Sequence, residues 1–510
     1  MSHMEDKDVG NKYDRQVRLW NPTGQQHISN AKICLINVTT TASETLKNLI
    51  LPGVGQAVII DDRKVTSKDL STNFFLEDGD MGSSLSERIS SNLAELNPDV
   101  TVTAEKRPLK SLINDTEYWK QFNCVITSLL FEDKFDVLVD LLWKLNIPLV
   151  DVGSVGFYAT LRIYHQEQTI VETHNNNLED LRIDLPWKEL QNYIDSKDLK
   201  SMDDQTYAHT PYSILLTKVF QQHVAENGKR PTIKEMRTKL TELRRDDETN
   251  LEEAYNRANM VLKNSNELNY QLREIFENPK LDDLTTTTPI FWIYTKALKM
   301  FYEKHSVIPL SGVLPDMESD TSSYIELQQL YRKKHEEDKT EIKESVLSIL
   351  EELERSKDEF NQQYLDTFVK NCKFMEVHHG STKKFDGKLY IENEWDPKKI
   401  NSINIYLAFL ALSEFYKAKG RFPTNDDRSE LRSTTISMLC KYPEINFPEG
   451  LEKILDELCR AQGNELHNIG SLTGGIAAQE VIKLLTNQYI TVDNTMSFDG
   501  IKSYVGFWKL

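Results

Sequence analysis

The chain has 510 residues, 39% of them hydrophobic and 27% charged, an ordinary globular profile long enough for about two to four domains of roughly 150 residues. No run approaches the ~18 apolar residues of a membrane span, and charged residues interrupt the first thirty positions where a signal peptide needs its apolar segment, so an intracellular chain with no membrane partner is expected. Its 61 Lys and Arg against 79 Asp and Glu, a net charge of −18, disfavour a nucleic-acid backbone as partner and favour a protein or a small substrate.

Met1-Ser2-His3-Met4 reads as a cloning remnant and takes no part in the fold. Residues 30–165 alternate short apolar runs with helical patterns. Ile33-Cys34-Leu35-Ile36 is a continuous apolar run, as a parallel strand covered on both faces requires. Ala42, Leu46, Leu49 and Ile50 then share one helical face, and Pro52-Gly53 ends the helix. Ala57-Val58-Ile59-Ile60 makes a second buried strand closing on Asp61-Asp62, and Val125-Ile126 and Pro148-Leu149-Val150 predict further strands. This order predicts an α/β fold, a doubly wound, Rossmann-like sheet.

From about Asn175 strand-like runs thin out and charged helical patterns take over. Ile342, Val346, Ile349, Leu350 and Leu353 have the spacing of an amphipathic helix, and the neighbouring run Lys333-Lys334-His335-Glu336-Glu337-Asp338 is expected to be a solvated face. Gly474-Gly475-Ile476-Ala477-Ala478 predicts a helix starting on small residues, followed by a second αβ-like stretch. The expected organisation is a sheet domain split by a helical insertion: residues 1–170, an insertion over 171–464, and 465–510 completing the sheet domain.

A strand-turn-helix that opens such a sheet ordinarily binds a nucleotide, because glycines let the backbone approach a phosphate and the helix N-terminus offers unpaired N–H groups. Here the turn reads Asn37-Val38-Thr39-Thr40-Thr41-Ala42-Ser43-Glu44, with no glycine. Cβ atoms would crowd a phosphate, β-branched threonines resist positive φ, and Glu44 adds negative charge. The residues favour a sheet kept for packing with a disabled pocket over a divergent working site. Asp61, about 24 positions on, stands where a ribose-binding carboxylate sits; a strand-end turn residue is the alternative.

Lys12-Tyr13-Asp14-Arg15-Gln16-Val17-Arg18-Leu19-Trp20, Leu49-Ile50-Leu51-Pro52-Gly53-Val54-Gly55 and Gly474-Gly475-Ile476-Ala477-Ala478-Gln479-Glu480-Val481-Ile482-Lys483 together resemble the adenylation fold of enzymes that activate ubiquitin-like proteins. Those enzymes pair two related adenylation halves, of which one hydrolyses ATP. The active half uses a Gly-rich loop, an Arg after the second strand, a Lys in an Asp-Val-Gly-Lys run and a magnesium-binding Asp. Against that pattern this chain has Asn37, Thr39 and Thr41 in the loop, Thr72 where the Arg is expected, Ser83 after Asp80-Met81-Gly82 in place of the Lys, and Leu130 in place of the Asp. Losing two cations and a metal ligand removes the charge neutralisation that adenylation needs. His209-Thr210-Pro211-Tyr212, Phe291-Trp292-Ile293 and Leu314-Pro315-Asp316-Met317, followed by Tyr324, Leu327, Gln328 and Tyr331, resemble the regulatory-subunit family of the heterodimeric Nedd/Rub-activating enzymes.

The resemblance implies a chain that binds no cofactor by itself, with ATP and magnesium held by a catalytic partner subunit, and with the Nedd/Rub protein and a conjugating enzyme as partners of the complex, in cytoplasm and nucleus. It also implies that Arg15, and more weakly Arg18, reaches the ATP phosphates in the partner's site in the manner of an arginine finger; from the residues alone Arg15 is a surface arginine paired with a nearby acid. The alternatives are an adaptor with an adenylation-like fold and no catalytic role, or a stand-alone adenylyltransferase. The cysteines (Cys34, Cys124, Cys372, Cys440, Cys459) are odd in number and form no CxxC pair, so buried free thiols are expected rather than disulfides or a zinc module. Only Cys372, between Lys370 and Lys373, has a cation close by on both sides, a cationic neighbourhood. Adjacent His378 and His379 point to different faces, and no metal site is expected.

Overall fold

The computed structural model describes residues 12–131, 133–175, 179–245 and 249–510; Met1–Met4 lie outside them. The chain divides into two compact units, one made of residues up to Gln168 together with Val377–Leu510, the other of Thr169–Glu376.

The first unit is built on an eight-stranded sheet. Its strands are β1 (Lys32–Ile36), β2 (Gln56–Ile60), β3 (Thr101–Ala104), β4 (Cys124–Thr127), β5 (Leu149–Val155), β6 (Tyr158–Tyr164), β7 (Thr495–Asp499) and β8 (Tyr504–Trp508), in the order β8-β7-β6-β5-β4-β1-β2-β3. The five strands from β3 to β5 are parallel, and β5 to β8 continue antiparallel. The central strands separate two apolar layers by simple alternation. Ile33, Leu35, Ala57 and Ile59 join one core cluster, and Cys34, Ile36 and Ile60 join the opposite one, around Trp119, Leu138 and Leu142. Burial on both faces is why these strands read as unbroken apolar runs.

The longer helices flanking this part are α1 (Asp14–Asn30), α2 (Thr40–Ile50), α3 (Leu85–Ala94) and α4 (Asp133–Lys144). Helix α1 bends at Trp20–Asn21, where Asn21 has φ +63° and Pro22 follows. Pro22 cannot donate to the helical ladder, so the bend falls there. Thr39 caps α2, its Oγ1 accepting from the Ala42 amide at 3.1 Å. Past the end of α2, Gly53 takes φ +87° directly beneath the Tyr13 ring, and a Cβ there would lie 2.7 Å from the Tyr13 hydroxyl oxygen.

The second unit is helical. It includes α5 (Tyr212–Asn227), α6 (Ile233–Glu242), α7 (Ile290–His305) and α8 (Thr321–Glu352). The amphipathic helix expected around Ile342–Leu353 is the second half of α8, whose buried residues Leu327, Tyr331, Asp338, Ile342, Val346, Ile349 and Leu350 form one stripe. Asp338 departs from the expected solvated face. It is buried, pairs with Lys334 at 2.7 Å, and accepts from the Leu310 amide at 3.1 Å.

The chain returns to the first unit through α9 (Pro397–Lys419), α10 (Arg428–Leu439), α11 (Leu451–Ala461) and α12 (His467–Thr486). Composition places the end of the helical insertion at residue 464, whereas the compact helical unit ends at Glu376. The reason is a third apolar core: Ile405, Leu412 and Phe415 of α9 and Leu451, Ile454, Leu455 and Leu458 of α11 cluster with Val155, Tyr158 and Trp508 of the sheet. Nor does α12 start at its glycines. It begins at His467, and Gly470 and Gly474 let it lie against α2, where a Cβ on Gly474 would come within 2.8 Å of the Thr41 carbonyl oxygen. No helix among the described residues is long and apolar enough to cross a membrane.

Candidate functional site

A crevice of about 560 Å³ opens at the carboxyl ends of β1, β2 and β4, the position where open α/β sheets bind ligands. The turn after β1 forms its floor. Asn37 adopts φ +67°, a left-handed conformation that asparagine tolerates better than most side chains, and its amide donates to the carbonyls of Ser128 at 2.5 Å and Leu129 at 3.3 Å. Thr39 Oγ1 lies 2.7 Å from Ser128 Oγ.

The start of α2, where a phosphate would meet free N–H groups, is already occupied. The Glu465 carboxylate accepts from the Thr40 amide at 2.5 Å, the Thr41 amide at 3.1 Å, Thr41 Oγ1 at 2.5 Å and Ser154 Oγ at 3.1 Å. Glu465 is buried. Its charge sits on the positive end of the helix dipole, an arrangement worth up to about 2 kcal/mol when partly buried. The neighbouring acid Glu44 is also buried, paired with Lys47 and 3.5 Å from His467.

The second strand delivers Asp61 to the same crevice, equally committed. Its Oδ2 accepts from the Val38 amide at 2.7 Å, while Arg63 forks onto it with Nε at 3.0 Å and a terminal nitrogen at 2.6 Å. That same Arg63 nitrogen reaches the Val38 carbonyl at 2.6 Å. Lys68 donates to the Gly463 carbonyl at 2.9 Å and lies 5.0 Å from the Phe422 ring centre; burial lowers its pKa. Leu130 and Phe131 give the crevice an apolar wall beside Lys134 and Tyr416.

The crevice therefore brings together Asn37, Thr39, Asp61, Thr72 and Leu130. Thr41 lies directly beneath, fully buried. Ser83 is not among the lining residues; its carbonyl accepts from the Val65 amide at 2.9 Å in the turn after Gly82. Arg15 and Arg18 do not line it either. Both are exposed on the first half of α1, Arg18 paired with Asp14 at 2.8 Å and Arg15 without an ion pair among the described residues. Arg63, Lys68 and Glu465 were not legible as site residues. Arg63 follows Asp61 by two positions and a fork onto it could have been suspected, whereas Glu465 meets Thr40 across 425 residues and no local pattern marks it.

Four of the five cysteines are buried, and Cys440 is exposed, against the expectation that all would be buried. Burial pushes the thiols of Cys124 and Cys372 up to about 12. The lysines beside Cys372 in sequence therefore do not make it a thiolate. No group of three or more His, Cys, Asp or Glu among the described residues could hold a metal ion.

Comparisons with known proteins place the chain in a family. The ThiF family model matches residues 13–509. The chain is similar to the NEDD8-activating enzyme E1 regulatory subunit of Xenopus laevis, 33% identical with 96% of each chain covered. It is equally similar to that of Gallus gallus, 33% identical with 98% of each covered. The NEDD8-activating enzyme E1 regulatory subunit AXL of Arabidopsis thaliana is 31% identical, over 96% of this chain and 97% of that one. On this agreement along nearly the whole length, the chain belongs to the ThiF family and, within it, to the family of NEDD8-activating enzyme E1 regulatory subunits.

Proposed function

We propose that this chain is the non-catalytic half of a heterodimeric enzyme that activates NEDD8, with an adenylation-type fold retained for assembly and positioning rather than for its own chemistry. The observation that carries the reading is the Glu465 carboxylate seated on the Thr40 and Thr41 amides. A phosphate entering there would meet a fixed like charge at close range, a repulsion of about 4 kcal/mol at 4 Å for an effective dielectric constant near 20. Two further features support it: Arg63 takes both oxygens of Asp61, and Leu130 offers no oxygen to magnesium.

On this reading ATP and magnesium belong to the catalytic partner subunit. Arg15 extends from α1 to the phosphates of the ATP bound there, with Arg18 as a weaker second contact. The complex adenylates the C-terminus of NEDD8, forms its thioester on a cysteine of the partner, and hands it to a conjugating enzyme, in cytoplasm and nucleus. The region between the sheet segments contributes helices to the domain around that cysteine.

The test is ATP–pyrophosphate exchange by this chain alone, by the catalytic subunit alone and by the two together, with magnesium–ATP titrated onto the isolated chain. Exchange is expected only from the pair. Micromolar binding and exchange by this chain alone would make it a self-sufficient adenylyltransferase, and full exchange by the partner alone would reduce it to an adaptor.

A further inference from the structure

A second cavity, of about 440 Å³, lies in the sheet unit behind the Leu129–Phe131 wall of the crevice. Its size falls within the range of small-molecule sites. Aromatic side chains dominate its lining, among them Phe135, Tyr164, Phe385, Tyr406, Phe409 and Tyr442. Gly153 belongs to the same wall, because a Cβ there would lie 2.5 Å from the Leu129 side chain.

One carboxylate on β5, Asp151, faces this apolar space. Thr127 Oγ1 donates to its Oδ1 at 2.8 Å, and among the described residues no donor reaches Oδ2. Its cross-strand neighbour Arg162 does not pair with it. That buried guanidinium is directed to Tyr406 Oη and Thr495 Oγ1, each at 3.3 Å, and to the carbonyls of Ser381 at 3.2 Å and Lys383 at 2.5 Å. Burial raises the Asp151 pKa to about 6, opposed by the Thr127 hydrogen bond and by Arg162, and the carboxylate lines the cavity. The half-buried carboxylate thus keeps one oxygen for a donor that enters the cavity. On the rim Lys383 pairs with Asp386 and Lys384 with Asp136, each at 2.6 Å, and Lys417 pairs with Glu414 at 3.2 Å, which leaves Lys441 as the lining cation without an ion pair among the described residues.

We propose that this cavity binds a protonated primary amine carried on an aromatic body, its ammonium on Asp151 and its ring among the aromatic side chains. An ammonium supplies the donor that Oδ2 lacks. The rings of Tyr164 and Tyr406 already face the Arg162 guanidinium at 4.8 and 5.9 Å, and the remaining aromatic faces favour a desolvated cation, which selects an amine over a neutral donor of the same shape. The site is separate from the nucleotide-type crevice and does not depend on the reading of that crevice.

The experiment titrates the full chain at neutral pH with tryptamine and with tryptophol, which carries a hydroxyl in place of the ammonium. Tryptamine is expected to bind with a Kd below about 1 mM and tryptophol at least about tenfold more weakly. Asp151→Asn keeps an acceptor for Thr127 and should abolish the difference between the probes. Met438→Trp fills the cavity from α10 and should block tryptamine, which gives an independent reading if the Asp151 variant does not fold. Equal binding of the two probes, binding of neither, a preference that survives Asp151→Asn, or tryptamine binding unaffected by Met438→Trp overturns the proposal.

Discussion

The Glu465 carboxylate gathers two amides and two hydroxyls at the start of α2. If its carboxylate does for α2 what a bound phosphate does in a working site, Glu465→Ala leaves the Thr40 and Thr41 amides and two hydroxyls without their acceptor. The expected loss is about 2–4 kcal/mol of unfolding free energy, read from urea denaturation. Added pyrophosphate should raise the melting temperature of the variant and leave the parent unchanged; no difference between them would deny that role. His165 makes a prediction of different origin. Its ring is buried, with no hydrogen-bond partner for either nitrogen among the described residues, and burial, reinforced by His378, lowers its pKa to about 4. The unfolded chain, titrating near 6.5, binds the extra proton first, so His165 costs stability as pH falls from about 6.5 to 4 and is neutral above that window. The full effect is on the order of 3 kcal/mol, and His165→Phe should flatten stability between pH 7.5 and 4.5 by a comparable amount. Arg15 is the residue on which the in-trans reading turns. Arg15→Ala should leave assembly intact by size exclusion and slow pyrophosphate exchange by the complex roughly 10- to 100-fold, by analogy with a lost charge-assisted hydrogen bond. Arg15→Lys should recover only part, since a point charge does not reproduce the guanidinium fork.

Two adjacent glycines of α12 separate packing from propensity. Gly474 faces α2, with the Thr41 carbonyl, Glu44 Cβ and Thr45 amide all within 2.9 Å of the position a Cβ would take, whereas Gly475 faces open space. Gly474→Ala should therefore cost about 1–3 kcal/mol through overpacking, and Gly475→Ala should gain up to about 1 kcal/mol through helix propensity. Thermal melts of the pair test this directly, and equal shifts would refute the close packing. The same helix shows what the sequence could disclose. Small residues were visible at 474–478, but a stripe of glycine looks alike at a helix start and at a helix–helix contact, and the partner Thr41 lies in a different region of the chain. Strands β1, β2, β4 and β5 were legible because burial on both faces leaves an unbroken apolar run. Strand β3 (Thr101–Ala104) was not, since its residues are exposed or half-buried at the sheet edge, and the antiparallel β6–β8 carry polar residues such as Arg162, Thr495 and Ser497 inside the sheet. At the site, the turn without glycine was readable because it is contiguous; the Glu465 carboxylate and the Arg63 fork depend on side-chain geometry that spacing does not encode.

The whole chain presents apolar surface that its own fold leaves uncovered. Phe74 stacks on His467 with ring centres 3.6 Å apart yet stays 75% exposed, and Leu472, further along α12, is 47% exposed. Where such side chains join into one contiguous apolar patch they mark an association surface. The isolated chain should self-associate at high concentration and become monodisperse with the catalytic subunit, as light scattering would show; a clean monomer unaffected by the partner would contradict it. The division of the sheet unit between the two ends of the chain bears also on synthesis. Strand β6 pairs with β7, which begins only at Thr495, and the acceptor for the start of α2 is Glu465. A ribosome adding about 5–20 residues per second leaves β6 as an open strand edge, and α2 with bare amides, for on the order of half a minute while everything between is made. Through that interval the nascent sheet is a template for pairing with other chains, until the stretch from Glu465 to Asp499 both closes its edge and seats the carboxylate on α2.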